Sequence, residues 1–189
     1  SHLDLGGGLG IPYSDESLAD LYAYNQIIVE TVGDLDCKLS IEPGRYLVGE
    51  AGILITRVIY IKQGDQKKFV IVDGAMNDLI RPTLYDGFHA IVPVTEKKLS
   101  FQKSLCDVVG PICESGDYFA KDRMLPEISQ NDLLAIKCSG AYGAVMASNY
   151  NSRPLIPEVL VSNDAFSVIR ERQTFEKMMQ DEKIAAWLQ

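Results

Sequence analysis

Residues 1–50 alternate between short apolar segments and polar or glycine-rich connections. A strand pattern at Leu3 to Leu5 runs directly into the triple glycine Gly6-Gly7-Gly8. Apolar residues then recur at helical spacing from Leu18 to Val32, and Ser14 is the predicted N-cap of that helix. A second strand pattern covers residues 38–41. Strand, loop, helix and strand in this order predict a parallel α/β structure.

From Ala51 onward the pattern changes to short runs that are rich in β-branched and aromatic residues and are separated by turn residues. Seven such runs are typical of strands: residues 53–61, 68–73, 89–94, 106–109, 133–138, 158–161 and 166–170. They predict an antiparallel β domain, whose boundary with the first part is placed near residue 50. The charged tail from Thr174 to Leu188 has helical character and is expected to close the surface of this domain.

The composition narrows the class of protein. With 189 residues, 47% hydrophobic and 23% charged, the chain is typical of a soluble globular protein. No apolar run approaches the roughly 18 residues that a membrane helix needs, and a cytoplasmic location is expected. The net charge of −8, without a basic cluster, argues against nucleic-acid binding. The four cysteines show no C-x-x-C spacing, and only His2 and His89 are present, so neither a metal site nor a disulfide framework is expected.

The triple glycine between the first strand and the helix is the first candidate site. Glycine lets a backbone approach a phosphoryl group closely and turn its N–H groups toward the anion, and a following helix adds its positive end. The spacing is not that of the dinucleotide fingerprint, because the sixth position counted from Gly6 is Ile11. The residues by themselves leave a phosphate cradle and a plain tight turn as alternatives.

Six motifs occur in an order that resembles the C-terminal half of the diaminopimelate decarboxylases. They are LDLGGGLG, IEPGRYLV, VDGAMNDLIRPTLYDGFHAI, VGPICESGD, CSGAYGAVMASNYNSRP and SVIRERQTFE, and they span nearly the whole chain. This family belongs, with the ornithine and arginine decarboxylases, to the pyridoxal phosphate (PLP) enzymes that combine a TIM-type barrel with a β domain. The resemblance implies that residues 1–50 are the last strands of the PLP-binding barrel, incomplete in this chain. It implies that residues 51–189 are an antiparallel Greek-key barrel or sandwich with a terminal helix.

The same resemblance implies a set of residues that hold the cofactor: Gly6, Gly7, Gly8, Glu42, Gly44, Arg45 and Tyr142. The glycine loop would bind the phosphate of PLP. Glu42 would keep the ring nitrogen protonated, because a nearby carboxylate favours the charged form of that nitrogen. Arg45 offers a planar cationic fork that suits a phosphate or a carboxylate.

Diaminopimelate carries two amino acid ends, so its site must bind a second carboxylate and a second ammonium. The resemblance implies substrate-binding roles for Arg45, Arg81, Tyr85, Glu114 and Tyr142. Among them, Arg81 and Tyr85 would bind the distal carboxylate and Glu114 the distal ammonium. Cys113 is implied as the catalytic residue that protonates the carbon from which carbon dioxide has left. Without the motifs, Arg81 would be interpreted as a solvated arginine and Cys113 as a buried free thiol.

In that family the residues matching Cys113 and Glu114 reach the active site of the other subunit, so the resemblance implies a homodimer with shared active sites. The lysine that binds PLP covalently belongs to the early barrel strands, and no lysine here, including Lys97 and Lys98, has a matching context. The expected function is PLP-dependent decarboxylation of meso-2,6-diaminopimelate to L-lysine and carbon dioxide, the last step of lysine biosynthesis. This chain alone is expected to be inactive.

Two other functions stay open at this point. One is a sibling decarboxylase that acts on ornithine, arginine or carboxynorspermidine. Arg81 and Glu114 argue against it, because a diamine-forming enzyme needs no second carboxylate clamp. The other is a non-catalytic dimerisation domain.

Overall fold

The computed structural model describes residues 1–95 and 102–188, so Lys97 and Lys98 lie outside the described residues. Its first part is a small parallel sheet with two helices. The elements are β1 (His2–Asp4), α1 (Leu21–Val32), β2 (Lys38–Ser40) and α2 (Gly44–Val48). β1 and β2 pair in parallel, with His2 opposite Lys38. The order of elements and the parallel pairing predicted from the hydrophobic pattern are both confirmed.

Helix α1 begins later than the sequence pattern predicts. The prediction that Ser14 caps it was wrong, because Asp20 is the N-cap and accepts from two backbone N–H groups of the first turn at 2.9 and 3.0 Å. Glu16 instead stabilises an earlier turn, where it accepts from the N–H of Ser14 at 2.7 Å. No residue of α1 is buried. None of the helices in the described residues is long and apolar enough to span a bilayer.

Among the described residues, the main sheet has six strands in the order β5-β8-β3-β4-β6-β7. Their bounds are β3 (Leu54–Gln63), β4 (Lys68–Val72), β5 (Ile91–Pro93), β6 (Ser104–Val109), β7 (Tyr118–Leu125) and β8 (Leu133–Ile136). The prediction of a purely antiparallel domain was wrong at one pair, since β4 and β6 are parallel. Helix α3 (Arg81–Tyr85) and β5 lie between these two strands in the chain, and this long connection lets them run in the same direction.

The core of the protein lies on one face of this sheet. Along β3, Leu54, Thr56 and Val58 are buried whereas Ile55 and Arg57 are exposed, which is the two-residue period of a strand. All six strands contribute buried apolar side chains, among them Val58, Val70, Val72, Cys106, Val108, Phe119, Leu134 and Ile136. The sequence pattern predicted strand β3 but not which of its faces is inward.

Strand β7 is not predicted by the pattern, because charged residues occupy its middle. In the structure these charges have partners that are distant in sequence. Asp122 lies 2.7 Å from the ammonium of Lys67, and Arg123 donates to the backbone carbonyl of His89 at 3.0 Å. A local pattern of polarity could not reveal partners that only the folded sheet brings close.

The last part of the chain is a separate hairpin followed by the tail. The hairpin is formed by β9 (Glu158–Ser162) and β10 (Ala165–Arg170), and the tail contains α4 (Phe175–Met179). The prediction that the tail closes the surface was wrong, because Trp187 is 87% exposed and Leu188 is 74% exposed. The start of the tail is held by polar contacts instead, since the side chain of Gln173 accepts from Asn149 at 2.6 Å.

The first part and the main sheet meet at Gly140. The N–H of Ser139 donates to the carbonyl of Gly52 at 2.8 Å, and the N–H of Gly140 donates to that of Gly49 at 3.1 Å. A Cβ at Gly140 would overlap the carbonyl oxygen of Val48. Only glycine permits two backbones to approach so closely. A domain boundary near residue 50 lies within this contact and stays a prediction.

We expect Gly140→Ala to weaken this contact. The new methyl group would meet a backbone oxygen that cannot move without moving α2, so the free energy of unfolding should fall by about 1–3 kcal/mol. Chemical denaturation of the intact protein measures the loss. Gly10→Ala is the matched control, because a Cβ at Gly10 would have no atom within 4 Å. Equal stability of the two variants would contradict the prediction.

Candidate functional site

The glycine loop that follows β1 lies against the end of β2. Gly6 and Gly8 adopt φ values of +71° and +88°, which glycine adopts readily. The carbonyl of Gly6 accepts from the N–H of Glu42 at 2.7 Å, and a Cβ at Gly7 would lie 2.7 Å from the carbonyl oxygen of Glu42. The predicted phosphate loop and the predicted partner of the ring nitrogen are therefore adjacent.

The same loop has an open side. A Cβ added at Gly6, Gly8 or Gly44 would have no atom within 4 Å. The N–H of Gly6 already donates to Asp4 Oδ1 at 2.6 Å, so Gly6 would contribute a backbone turn rather than a donor. Hydrogen bonds from Ser40 and from this N–H lower the pKa of Asp4. The arrangement fits a phosphate cradle whose N–H donors come from the other two glycines of the loop.

Arg45 and Tyr142 also come together, although they are far apart in sequence. Arg45 lies in α2, and its guanidinium is 5.4 Å from the centroid of the Tyr142 ring, a cation–π distance. Tyr142 follows Gly140 in the loop after β8 and has a φ of +58°. The backbone contact at Gly140 thus places this tyrosine against the first turn of α2. The residues implied as cofactor ligands share one region of the molecule.

Arg81 and Tyr85 lie on α3, four residues apart, but they have different surroundings. Tyr85 is 63% exposed, whereas Arg81 is only 9% exposed, so the interpretation of Arg81 as a solvated arginine was wrong. The guanidinium of Arg81 lies 4.5 Å from the centroid of the Tyr13 ring, and its Nη1 is 2.8 Å from His89 Nε2. Since Tyr13 follows the glycine loop in the chain, this contact joins that loop to α3.

Cys113 and Glu114 lie in the loop between β6 and β7, and both are exposed. The alternative interpretation of Cys113 as a buried thiol is therefore excluded. One oxygen of Glu114 accepts from the N–H of Gly116 at 3.1 Å, and the other accepts from the hydroxyl of Tyr150 at 3.3 Å. The negative charge of Glu114 raises the pKa of Tyr150, which keeps that hydroxyl protonated as a donor.

Asp117 fixes the loop that carries Cys113 and Glu114. It is 4% exposed, and its two carboxylate oxygens accept from the N–H groups of Met76 and Ile112, each at 2.7 Å. Burial raises the pKa of this carboxyl, because desolvation disfavours the charged form. Asp117 ends the PICESGD motif, and its place in that motif is the one sequence signal for this role.

A second polar link fixes the loop that carries Tyr150. Arg153 Nε donates to Asn77 Oδ1 at 2.9 Å, and Arg153 Nη2 donates to the carbonyl of Asp73 at 2.6 Å. Nη2 also lies 3.8 Å from the carboxylate of Asp78, whose pKa is raised by burial. The segment after β4 therefore anchors two loops of the candidate site.

Helix α3 contacts the loop of Cys113 directly. The hydroxyl of Thr83 donates to the carbonyl of Gly116, and the hydroxyl of Tyr118 donates to the carbonyl of Pro82 at 3.2 Å. Arg81 and Tyr85 on α3 thus lie on a segment adjacent to the loop that carries Glu114. The sequence pattern did not predict that α3 and this loop are adjacent.

Comparison with known proteins identifies relatives of this chain. A family model described as pyridoxal-dependent decarboxylase, C-terminal sheet domain, matches residues 19–140. Two curated diaminopimelate decarboxylases, from Zymomonas mobilis and Neisseria meningitidis, are 48% identical over 187 residues and 51% identical over 181 residues. They cover 98% and 96% of this chain.

A crystal structure of diaminopimelate decarboxylase from Helicobacter pylori, complexed with L-lysine, has a similar fold. It matches with a TM-score of 0.87 and 46% sequence identity, and the match covers 95% of this chain. In all three comparisons the chain spans 44% of the length of the relative.

We expect Asp117→Asn to loosen the loop from Gly110 to Asp117. The amide has one oxygen in place of two, so one buried backbone N–H loses its acceptor, and the free energy of unfolding should fall by about 1–3 kcal/mol. Chemical denaturation measures the stability, and hydrogen exchange of residues 110–117 locates the change. Asp181→Asn, in the exposed tail, is the control. Unchanged exchange in the loop would show that Asp117 does not hold it.

Proposed function

Because the chain belongs to the pyridoxal-dependent decarboxylase family and contains its C-terminal sheet domain, we propose that it is part of a diaminopimelate decarboxylase. The reaction is the conversion of meso-2,6-diaminopimelate to L-lysine and carbon dioxide. The observation that carries the proposal is the convergence of the open glycine loop, Glu42, and the Arg45–Tyr142 pair at the junction of the small and main sheets.

Pyridoxal phosphate, when bound, supplies an electron-accepting ring beside the carbon that loses its carboxylate. The N–H groups of Gly7 and Gly8 would hold its phosphate, since the N–H of Gly6 already donates to Asp4. Arg45 would supply a positive charge to the phosphate or to the substrate carboxylate. Glu42 would keep the proton on the ring nitrogen. Tyr142 would hold Arg45 in place through its ring.

The remaining residues would bind the substrate and move one proton. Arg81 and Tyr85 would bind the distal carboxylate, and Glu114 would bind the distal ammonium. Tyr150 would fix the carboxylate of Glu114, to which it donates. Cys113 would then give its thiol proton to the carbon that has lost carbon dioxide. The exposure of Cys113 supports a role toward a surface outside this chain.

The architecture and assembly of the whole protein are part of the proposal. We place residues 1–50 at the end of a PLP-binding TIM-type barrel and residues 51–189 in a Greek-key β domain. We also propose a homodimer in which Cys113 and Glu114 complete the active site of the other subunit, and a cytoplasmic location. The parallel pairing of β1 and β2 supports the barrel assignment, because parallel strands are typical of such barrels.

Carbon dioxide release by the intact protein with PLP tests the substrate. We expect release from meso-diaminopimelate, with L-lysine as product, and a preference over ornithine and arginine on the order of 10⁴-fold in kcat/KM. A substrate without a distal carboxylate would leave the buried arginine of the site without an anionic partner, which disfavours its binding. Preference for ornithine, arginine or carboxynorspermidine would indicate a sibling decarboxylase. Bound PLP without decarboxylation of any of them would indicate a non-catalytic protein.

Gly7→Ala tests the phosphate loop. The methyl group would meet the carbonyl of Glu42, so the loop would shift and the affinity for PLP should fall roughly tenfold or more. The visible absorbance of the cofactor retained after gel filtration measures the loss. Gly10→Ala should retain PLP as the unmodified protein does, because its methyl group would have free space. Full retention by Gly7→Ala would count against the proposed cradle.

A further inference from the structure

His89 lies between α3 and β5 and is fully buried, with 0% exposure. None of the proposed catalytic steps uses it. Its Nδ1 is 2.8 Å from the backbone carbonyl of Lys137, which can only accept a hydrogen bond. Nδ1 must therefore carry a proton.

The other ring nitrogen of His89 faces a group that can only donate. Nε2 is 2.8 Å from Nη1 of Arg81, and a guanidinium has no acceptor. Nε2 must therefore be unprotonated and accept from Arg81. The two neighbours together require a neutral histidine in a single tautomer.

Arg81 itself is a nearly buried cation without an anionic partner in the described part of the chain. Its guanidinium contacts the neutral ring of His89 and the face of the Tyr13 ring, and no aspartate or glutamate of residues 1–95 or 102–188 forms an ion pair with it. Tyr13 also packs edge-on against His89, with the ring centroids 5.3 Å apart. Buried charges in proteins are normally paired, so this arrangement suits an anion supplied by a ligand.

We infer that His89 is a positioning residue that holds the guanidinium of Arg81 in the orientation needed to bind the distal carboxylate of the substrate. The inference rests on the proposed function, because it takes the carboxylate as the ligand of Arg81. A neutral acceptor is suited to this task. A carboxylate in place of His89 would hold Arg81 as firmly but would neutralise the charge that the substrate needs.

The role requires His89 to stay neutral, and its surroundings favour that state. Burial lowers the pKa of His89, and the positive charges of Arg81 and Arg123 lower it further, whereas the hydrogen bond to Lys137 acts in the opposite direction. Tyr13 packs on the ring without adding charge. The pKa of His89 in the folded protein is below the unfolded value of about 6.5. Above a pH of about 6.5 His89 is therefore neutral, and its hydrogen bond with Arg81 is fully formed. It is lost as the pH falls through the folded pKa.

Two substitutions separate the hydrogen bonds of His89. In His89→Asn the side-chain amide nitrogen can take the place of Nδ1 and donate to Lys137, but no acceptor reaches Arg81. In His89→Gln the side-chain oxygen can take the place of Nε2 and accept from Arg81. The first variant therefore removes the proposed function of the residue, and the second retains it.

Binding of L-lysine and of cadaverine to the intact protein, measured by calorimetry, is the test. L-lysine carries a carboxylate and cadaverine does not. We expect His89→Asn to weaken L-lysine binding and to raise the KM for diaminopimelate about tenfold, the effect of a lost hydrogen bond to a charged group. Cadaverine binding should not change, and His89→Gln should restore most of the affinity for L-lysine.

The outcomes distinguish failure of the proposed decarboxylase function from failure of the proposed role of His89. If the unmodified protein neither decarboxylates diaminopimelate nor binds L-lysine, the proposed function fails and the role of His89 fails with it. If the unmodified protein does both and folded His89→Asn binds L-lysine equally well, the inference alone fails. It also fails if His89→Asn weakens L-lysine and cadaverine binding equally, which would indicate a general structural role.

A measurement on the unmodified protein covers the case in which His89→Asn does not fold. The affinity for L-lysine relative to cadaverine should fall as the pH falls through the folded pKa of His89, which lies below about 6.5, because protonated His89 cannot accept from Arg81. A constant ratio across the folded range, down to acid unfolding, would overturn the inference.

Discussion

The close backbone contact at Gly140 is the constraint on which the candidate site depends. It joins the loop after β8 to the segment that follows α2, through hydrogen bonds from Ser139 and Gly140. Because strand β8 belongs to the buried core, the position of α2 is set by the main sheet rather than by α2 itself, which has no buried residue. The Arg45–Tyr142 contact is a direct consequence. A helix of five residues gains its fixed place from its neighbour and not from its own propensity.

The proposed substrate side of the site is fixed by buried polar groups. Apolar packing ends at the edge of the sheet, and the loops beyond it are held by buried carboxylates that accept from backbone N–H groups. Asp117 holds the loop of Cys113, and Asp78 accepts from the N–H of Ala75 at 2.9 Å in the segment that anchors Arg153. A carboxylate is costly to bury, so it is retained only where its hydrogen bonds are satisfied. Buried carboxylates of this kind order the base of a loop while its tip, as at Cys113, stays exposed.

The sequence predicted those parts of the structure that depend on local pattern. The glycine loop, the first helix and the parallel pair of β1 and β2 followed from their order in the chain, and the β-rich run at β3 predicted a strand but not its inward face. The start of α1 was misplaced because Ser14 and Asp20 are both good N-caps, and only the folded chain shows which one is used. The parallel pairing of β4 with β6 could not be predicted, since it depends on where a long connection returns.

The contacts around Arg81 were beyond sequence reasoning for a related reason. Tyr13, Arg81 and His89 lie in three segments whose spacing gives no hint that their side chains meet, and a lone histidine on an apolar segment usually has a packing role. The folded chain places Arg81 in a buried environment and Cys113 in an exposed one. A buried cation can bind a carboxylate strongly because water does not compete with it. An exposed thiol gains the same protection only when another surface covers it, as the proposed second subunit would.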